Sequence, residues 1–112
     1  MTKLEGNLQR VLRDYYWRAH DEELHRALAA LASDFDAWKV GGISNEELSV
    51  RIHKFHDGVS REIFNRYDGK MREVTVARAI ANGILERSQI PDDLLKHLGP
   101  SIEVFVTDQA RS

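Results

Sequence analysis

The sequence contains no cysteine. Disulfide bonds and thiolate zinc sites are therefore excluded, and the composition is typical of a reducing compartment. The longest apolar run, residues 27–32, is far shorter than the roughly 20 residues that a membrane-spanning helix needs. We therefore expect a cytoplasmic protein that has no targeting segment and does not act on a membrane.

Neither sign of charge is in large excess. Sixteen Lys and Arg residues stand against eighteen Asp and Glu residues, which gives a net charge of −2. Nucleic-acid binding is not expected, because such proteins usually carry an excess of positive charge. A transcriptional regulator would also need a recognition helix with basic residues and no acidic neighbours, and the sequence offers none.

Several common signatures of catalysis and ligand binding are missing. The chain has no Walker A loop, GxGxxG, GxSxG, HExxH or EF-hand pattern, so the usual nucleotide, hydrolase and calcium chemistries have no support. No cofactor is expected. Proline is scarce as well, since only Pro91 and Pro100 occur, and the first ninety residues therefore contain no obligate helix breaker.

What remains is the pattern of helices. Hydrophobic residues make up 42% of the 112 residues and charged residues 30%, the balance of one globular domain. The 4-3-4 spacing of Leu4, Leu8, Val11 and Tyr15 predicts a first helix that ends near Arg18. Asp21 is placed to cap a second helix. Its apolar stripe consists of Leu24, Leu28, Leu31, Phe35 and Trp38, and Gly41 and Gly42 end it.

The second half of the chain predicts three more helices. Ser44 and Glu47 form a capping-box pattern at the start of the third, which is expected to kink or break at Asp57 and Gly58. The fourth covers residues 74–85, and the fifth begins after Pro91 and ends at Gly99. Together these elements predict an all-α fold in which residues 1–112 form a single-domain compact bundle of four to five helices, mostly antiparallel neighbours.

One cluster of residues carries possible chemistry. His53, His56 and Asp57 are neighbours on a helix, and two imidazoles with a carboxylate are ligands for zinc or non-haem iron. Their directions run from the edge of the apolar stripe into solvent, which favours an ordinary polar face in which Asp57 pairs with Arg61. Glu22 and His25 form a Glu-x-x-His pattern of the kind found in di-iron bundles, but it occurs once and points outward.

A ribonuclease interpretation rests on spacing. Arg51 and His56 match the loose Arg-x(4–6)-His spacing of the helical HEPN ribonucleases, which the chain resembles in size and helical content only. Arg18 with His25 and Arg13 with His20 match it too, so the spacing does not identify a family. In the alternative enzyme hypothesis, Arg51 or Arg61 would hold an anionic substrate beside His53, His56 and Asp57.

Two features predict protein contacts. Tyr15, Tyr16 and Trp17 point in directions roughly 100° apart on a helix, so they do not all face one neighbour. We therefore predict an interface at Tyr16 and Trp17. The pairs Ala77/Ala81 and Ala79/Gly83 present a smooth surface for another helix. The function expected from these patterns is a protein-interaction or regulatory module that binds a protein partner or itself as a homodimer. The alternative left open is a small metal-dependent or ribonuclease-like enzyme that uses the His53, His56 and Asp57 cluster.

Overall fold

The structure is a computed structural model that describes residues 6–111. All regular secondary structure in that range is helical, which confirms the predicted all-α fold. The elements in chain order are α1 (Gly6–Lys39), α2 (Asn45–Phe55), a π-helical segment (His56–Ser60), α3 (Arg61–Arg66), α4 (Arg72–Ala81), a short 3₁₀ turn (Arg87–Gln89) and α5 (Asp92–Arg111). Since α2, the π-helical segment and α3 follow one another directly, the described chain has four continuous helices.

Helix α1 is longer than predicted, and the expected end near Arg18 is wrong. It runs without a break from Gly6 to Lys39, because no glycine or proline occurs between residues 7 and 40. The apolar row that is buried in its first half is Leu12, Tyr16 and Ala19, one residue out of phase with the predicted row that contains Val11 and Tyr15. Leu4, the first residue of the predicted row, lies outside the described residues.

Two glycines end α1 as predicted. The Gly41 amide donates to the Trp38 carbonyl oxygen, and the Gly42 amide donates to the Ala37 carbonyl oxygen at 2.7 Å. Gly41 has φ of 78°, the left-handed conformation that glycine adopts at low cost. The helix therefore ends on a glycine cap.

The described chain divides into two compact units. The first contains residues 6–20 and 69–111, and the second contains residues 21–68. The core of the first unit is built mainly on α4 and α5, where Val76, Leu94, Leu98 and Ile102 are at most 1% exposed. That residues 1–112 behave as one domain stays a prediction.

Helices α4 and α5 of the first unit run in broadly the same direction, unlike the antiparallel neighbours that short loops predict. Glu73 near the start of α4 contacts His97 in the first half of α5, and Asn82 at the end of α4 contacts Gln109 near the end of α5. The intervening residues 82–91 are long enough to return the chain to the start of α4. Gly83, with φ of 76°, ends α4 earlier than the predicted residue 85.

Helix α5 does not end at Gly99. It continues through Pro100 to Arg111, so the predicted stop is wrong. Proline inside a helix removes one backbone hydrogen bond and costs about 3 kcal/mol. Leu98 and Ile102, on either side of Pro100, are both buried, and their burial favours continuation of the helix.

The second unit is an antiparallel helical hairpin. The second half of α1 packs against α2 and α3 through three side-chain contacts. Residues later in α1 contact residues earlier in α2 and α3, as antiparallel helices require. These contacts are Trp38 with Asn45, Asp34 with Arg51, and Glu23 with Arg66. At the turn, the predicted cap is confirmed, since the Glu47 amide donates to the Ser44 Oγ at 3.0 Å.

Asp57 and Gly58 do not break the hairpin's second helix. The chain stays helical there and forms the π-helical segment, whose flanking residues Phe55 and Arg61 keep right-handed helical angles. Such a segment holds one extra residue in the turn and is frequent at functional sites. The helix therefore accommodates Gly58 by widening instead of stopping.

Candidate binding face

The candidate catalytic residue Arg51 holds the hairpin together. Its Nη1 donates to the Asp34 Oδ1 at 2.7 Å, and its Nε donates to the Glu47 Oε1 at 3.0 Å. These hydrogen bonds, from Glu47 first and Asp34 second, raise the pKa of Arg51. Because both carboxylates already neutralise the guanidinium, Arg51 is poorly placed to hold an anionic substrate.

The other candidate catalytic residues lie on the outside of the π-helical segment. The His56 Nδ1 is 3.2 Å from the Asp57 Oδ1, and the Arg61 Nη2 is 3.8 Å from the same oxygen. The hydrogen bond with His56 is the main cause that lowers the pKa of Asp57, and the charges of Arg61 and His53 add to it. His53 is itself exposed. His56 lines a shallow depression with Ser60, Arg61 and Phe64, and no side chain of α1 joins them there.

The metal hypothesis gains no geometric support. Within residues 6–111, no group of three or more His, Asp or Glu side chains is placed to hold a metal ion, and His53, His56 and Asp57 do not converge. The Glu-x-x-His pattern is used differently, since Glu22 forms an ion pair with Arg26 at 2.9 Å.

The two residues predicted at an interface have different surroundings. Tyr16 is fully buried, and its hydroxyl accepts a hydrogen bond from the Gly69 amide at 2.8 Å. The expectation that Tyr16 lies on a contact surface is therefore wrong, because the buried row of α1 has the phase of Leu12 and Tyr16. Trp17 is 45% exposed and packs edge-on against Tyr16 and His20. Its role at an interface stays a prediction.

The small residues of α4 are used inside the first unit. Ala77 and Ala79 are both completely buried, and α4 makes its most extensive helix contacts with α5. Small side chains let two helix backbones approach closely. Ala77 and Ala79 are therefore covered by the chain itself, whereas Ala81 is only partly buried and Gly83 is exposed.

An open apolar surface of the hairpin follows the predicted apolar stripe in the second half of α1. We call the five residues Leu24, Leu28, Leu31, Phe35 and Trp38 the open seam. Leu28 is 47% exposed and Trp38 is 38% exposed, and the other three are only partly buried. Phe35 and Trp38 meet edge to face, with ring centroids 6.4 Å apart. The seam is therefore an apolar stripe that the hairpin covers only in part.

Leu28 of the open seam and a groove lie on opposite sides of the hairpin, whereas Leu31 of the seam lines the groove. The groove, of about 370 Å³, lies between α1 and α2 and includes Ala30 and Lys54 in its lining. Leu28 precedes Ala30 by two residues and Ile52 precedes Lys54 by two, which places each roughly 160° around its helix from the groove. Leu28 and Ile52 therefore lie on the same side, and Ile52, which is 39% exposed, widens the open seam.

Sequence patterns gave no indication of the buried ion pair in this hairpin. The Arg66 Nη1 donates to the Glu23 Oε2 at 2.5 Å, and the Glu23 side chain is only 7% exposed. Glu62, four residues before Arg66, has the spacing of an ordinary ion pair on one helix, and the local sequence therefore favours it as the partner. The observed partners are 43 residues apart in the sequence, and no short-range signal marks such a contact.

Helix length and hydropathy bear on one more prediction. Of the helices that the structure describes, none combines the length and the apolar character that a membrane crossing requires. Comparison with protein-family models, curated proteins and solved structures finds no match for this chain.

Proposed function

We propose that the chain is a helical protein-interaction module and that the open seam is its binding face. The observation that carries the proposal is the partial exposure of every large apolar side chain along this stripe of α1. An ordered apolar stripe of this length in a soluble environment is a cost unless a partner covers it. A partner that removes the seam from water gains roughly 25 cal/mol per Å² of apolar surface.

The spacing of the seam indicates the kind of partner. Leu24, Leu28, Leu31, Phe35 and Trp38 follow one another at intervals of 4, 3, 4 and 3 residues. This average of 3.5 residues is the repeat with which two helices pack side chains into each other's gaps along a shared seam. The partner surface is therefore another apolar helix face, and a flat polar surface would not fit it.

The contacts around the seam favour binding over catalysis. Asp34, Arg51 and Glu47 are joined to one another and stabilise the hairpin, and His53, His56 and Asp57 are exposed without a facing helix that completes a site. General acid–base catalysis needs groups that converge on one substrate position. The enzyme hypothesis has no such position in this unit. A cytoplasmic location, with protein partners and no nucleic acid or membrane, belongs to this proposal.

Position-specific photo-crosslinking in cells that produce the chain tests the proposal. A photoreactive amino acid is placed at Leu28 or Ile52 on the seam, and at Ser33 as the control. Ser33 is exposed on the same helix but points roughly 140° away from Leu28. We expect a discrete protein adduct of defined mass from both seam positions and none from Ser33. Equal adducts at all three positions, or none at any, would contradict the proposal.

A further inference from the structure

We propose that the open seam is covered by the seam of a second copy of this chain, with the two α1 helices packed antiparallel. This inference rests on the proposed function and names the partner of the same face. Three observations on the second half of α1 carry it: the pairing of its apolar residues, the charges at its two ends, and the size of the face.

The apolar residues pair in one register. In an antiparallel pair of α1 helices that cross midway between residues 29 and 30, Leu28 lies opposite Leu31 of the second copy. The same register places Leu24 opposite Phe35 of the second copy. Four seam residues, Leu24, Leu28, Leu31 and Phe35, therefore each meet a large apolar side chain, which is the layer pattern of side chains packed along a helical seam. Trp38 lies opposite Asp21 of the second copy, at the edge of the paired stretch.

The charges at the two ends of the seam are opposite. Asp21 stands before Leu24, and Lys39 stands after Trp38, and both are exposed. They are separated by eighteen residues, which is about five helical turns, so both project from the same side of α1. In the antiparallel register, Asp21 lies within side-chain reach of Lys39 of the second copy at each end. A parallel arrangement would instead place like charges beside each other.

The size of the face matches that of a stable dimer. Residues 21–39 extend for about 28 Å, and two helices side by side are about 20 Å wide. The projected face is thus about 550 Å², and its corrugated accessible surface is larger. Stable interfaces bury about 800 Å² per partner, and the hairpin face is of that order.

Light scattering on the purified full chain is the first part of the test. We expect a mass of twice the 12.9 kDa of one chain, falling to one chain on dilution. Leu28→Glu should raise the dimer dissociation constant at least tenfold, whereas Ser33→Glu should leave it within twofold of the wild type. Far-UV circular dichroism verifies that each variant stays helical. A wild type that is monomeric at all concentrations would overturn the inference.

Introduced cysteines form the second part, and the absence of native cysteine makes them unambiguous. In Asp21→Cys/Lys39→Cys the two sulfurs are about 27 Å apart along one helix, so they cannot bridge within a chain. Mild oxidation should convert most of the double variant into covalent dimer. Each single variant should stay uncrosslinked, since residue 21 is distant from residue 21 of an antiparallel partner.

The outcomes separate this inference from the proposed function. The antiparallel packing of α1 is overturned if the chain is a dimer by light scattering and the single cysteine variants crosslink. It is also overturned if the chain is a dimer and the double cysteine variant does not crosslink. A monomeric wild type that still gives seam-specific photo-adducts with other proteins overturns self-association and leaves the proposed function standing. A monomeric wild type without seam-specific adducts overturns both.

Discussion

Replacement of Arg66 by alanine should destabilise the hairpin far more than removal of an ordinary surface charge. Arg66 donates to Glu23 at 2.5 Å, and the Glu23 side chain is 7% exposed while that of Arg66 is 28% exposed. Without the guanidinium, the Glu23 carboxylate loses this ion pair in a position from which water is largely excluded. The chain must then either keep a poorly solvated charge or open locally to hydrate it.

The magnitude follows from the unequal exposure of the two partners. Breaking a buried ion pair by removal of one partner typically costs about 3–5 kcal/mol. Arg66→Ala should fall near about 3 kcal/mol, because the buried carboxylate stays behind. Glu23→Ala should cost about 1–2 kcal/mol, since the remaining guanidinium of Arg66 already reaches solvent and is rehydrated more easily.

Urea unfolding followed by far-UV circular dichroism measures these free energies, at one protein concentration because association adds to stability. The matched control is Arg26→Ala, which removes the pair with Glu22 on the same helix. The Arg26 and Glu22 side chains are 54% and 41% exposed, and such pairs contribute about 0.3–0.5 kcal/mol. Equal losses of unfolding free energy in Arg66→Ala and Arg26→Ala would refute the argument from burial.

Two further predictions concern Asp57 and the glycines of the first unit. The pKa of Asp57 should lie below its usual range and should rise in His56→Gln, as measured by carboxyl carbon NMR. Because the pKa of Asp57 is lower in the folded chain than in the unfolded chain, the ionised carboxylate stabilises the fold fully above the unfolded pKa. This stabilisation is lost as pH falls through the folded pKa. An unchanged pKa in the variant would contradict the assigned cause. Gly83→Ala, at φ of 76°, should lower the unfolding free energy by about 1 kcal/mol. Gly99→Ala, inside α5, places the added Cβ against the ring of the next residue, Pro100, although no other atom lies within 4 Å. It should therefore gain less than the roughly 1 kcal/mol that alanine gains over glycine elsewhere in a helix, and the full gain would contradict the reasoning.

Local signals predicted the features that depend on a few neighbouring residues. Ser44 caps α2, Gly41 ends α1, and α5 begins after Pro91, all near the predicted positions. Each depends on backbone groups within one helical turn, where the residue type alone decides which hydrogen bonds or angles are available. Sequence patterns therefore indicated the ends of these helices well.

Features that depend on distant parts of the chain were predicted less well. Pro100 normally ends a helix, but the burial of Leu98 and Ile102 outweighs the lost hydrogen bond. Arg18 interrupts the predicted apolar stripe, but α1 continues past it. The residues that are buried, Leu12, Tyr16 and Ala19, form a different row of the same helix. Likewise, no local pattern distinguishes the observed partner of Arg66 from Glu62. In each case tertiary contacts overrode a short-range preference.

The stripe from Leu24 to Trp38 shows a more general limit of such patterns. Its 4-3-4-3 spacing predicts a surface that becomes buried, either in the core of the chain itself or against a partner. Periodicity is a property of one helix, however, and it does not say which helix covers the stripe. In the described chain Leu28 stays nearly half exposed, so the demand for burial is met only partly by the hairpin. The same residues that could form an internal core thus leave a surface for a partner, and the antiparallel second copy proposed above pairs Leu24, Leu28, Leu31 and Phe35 in one register.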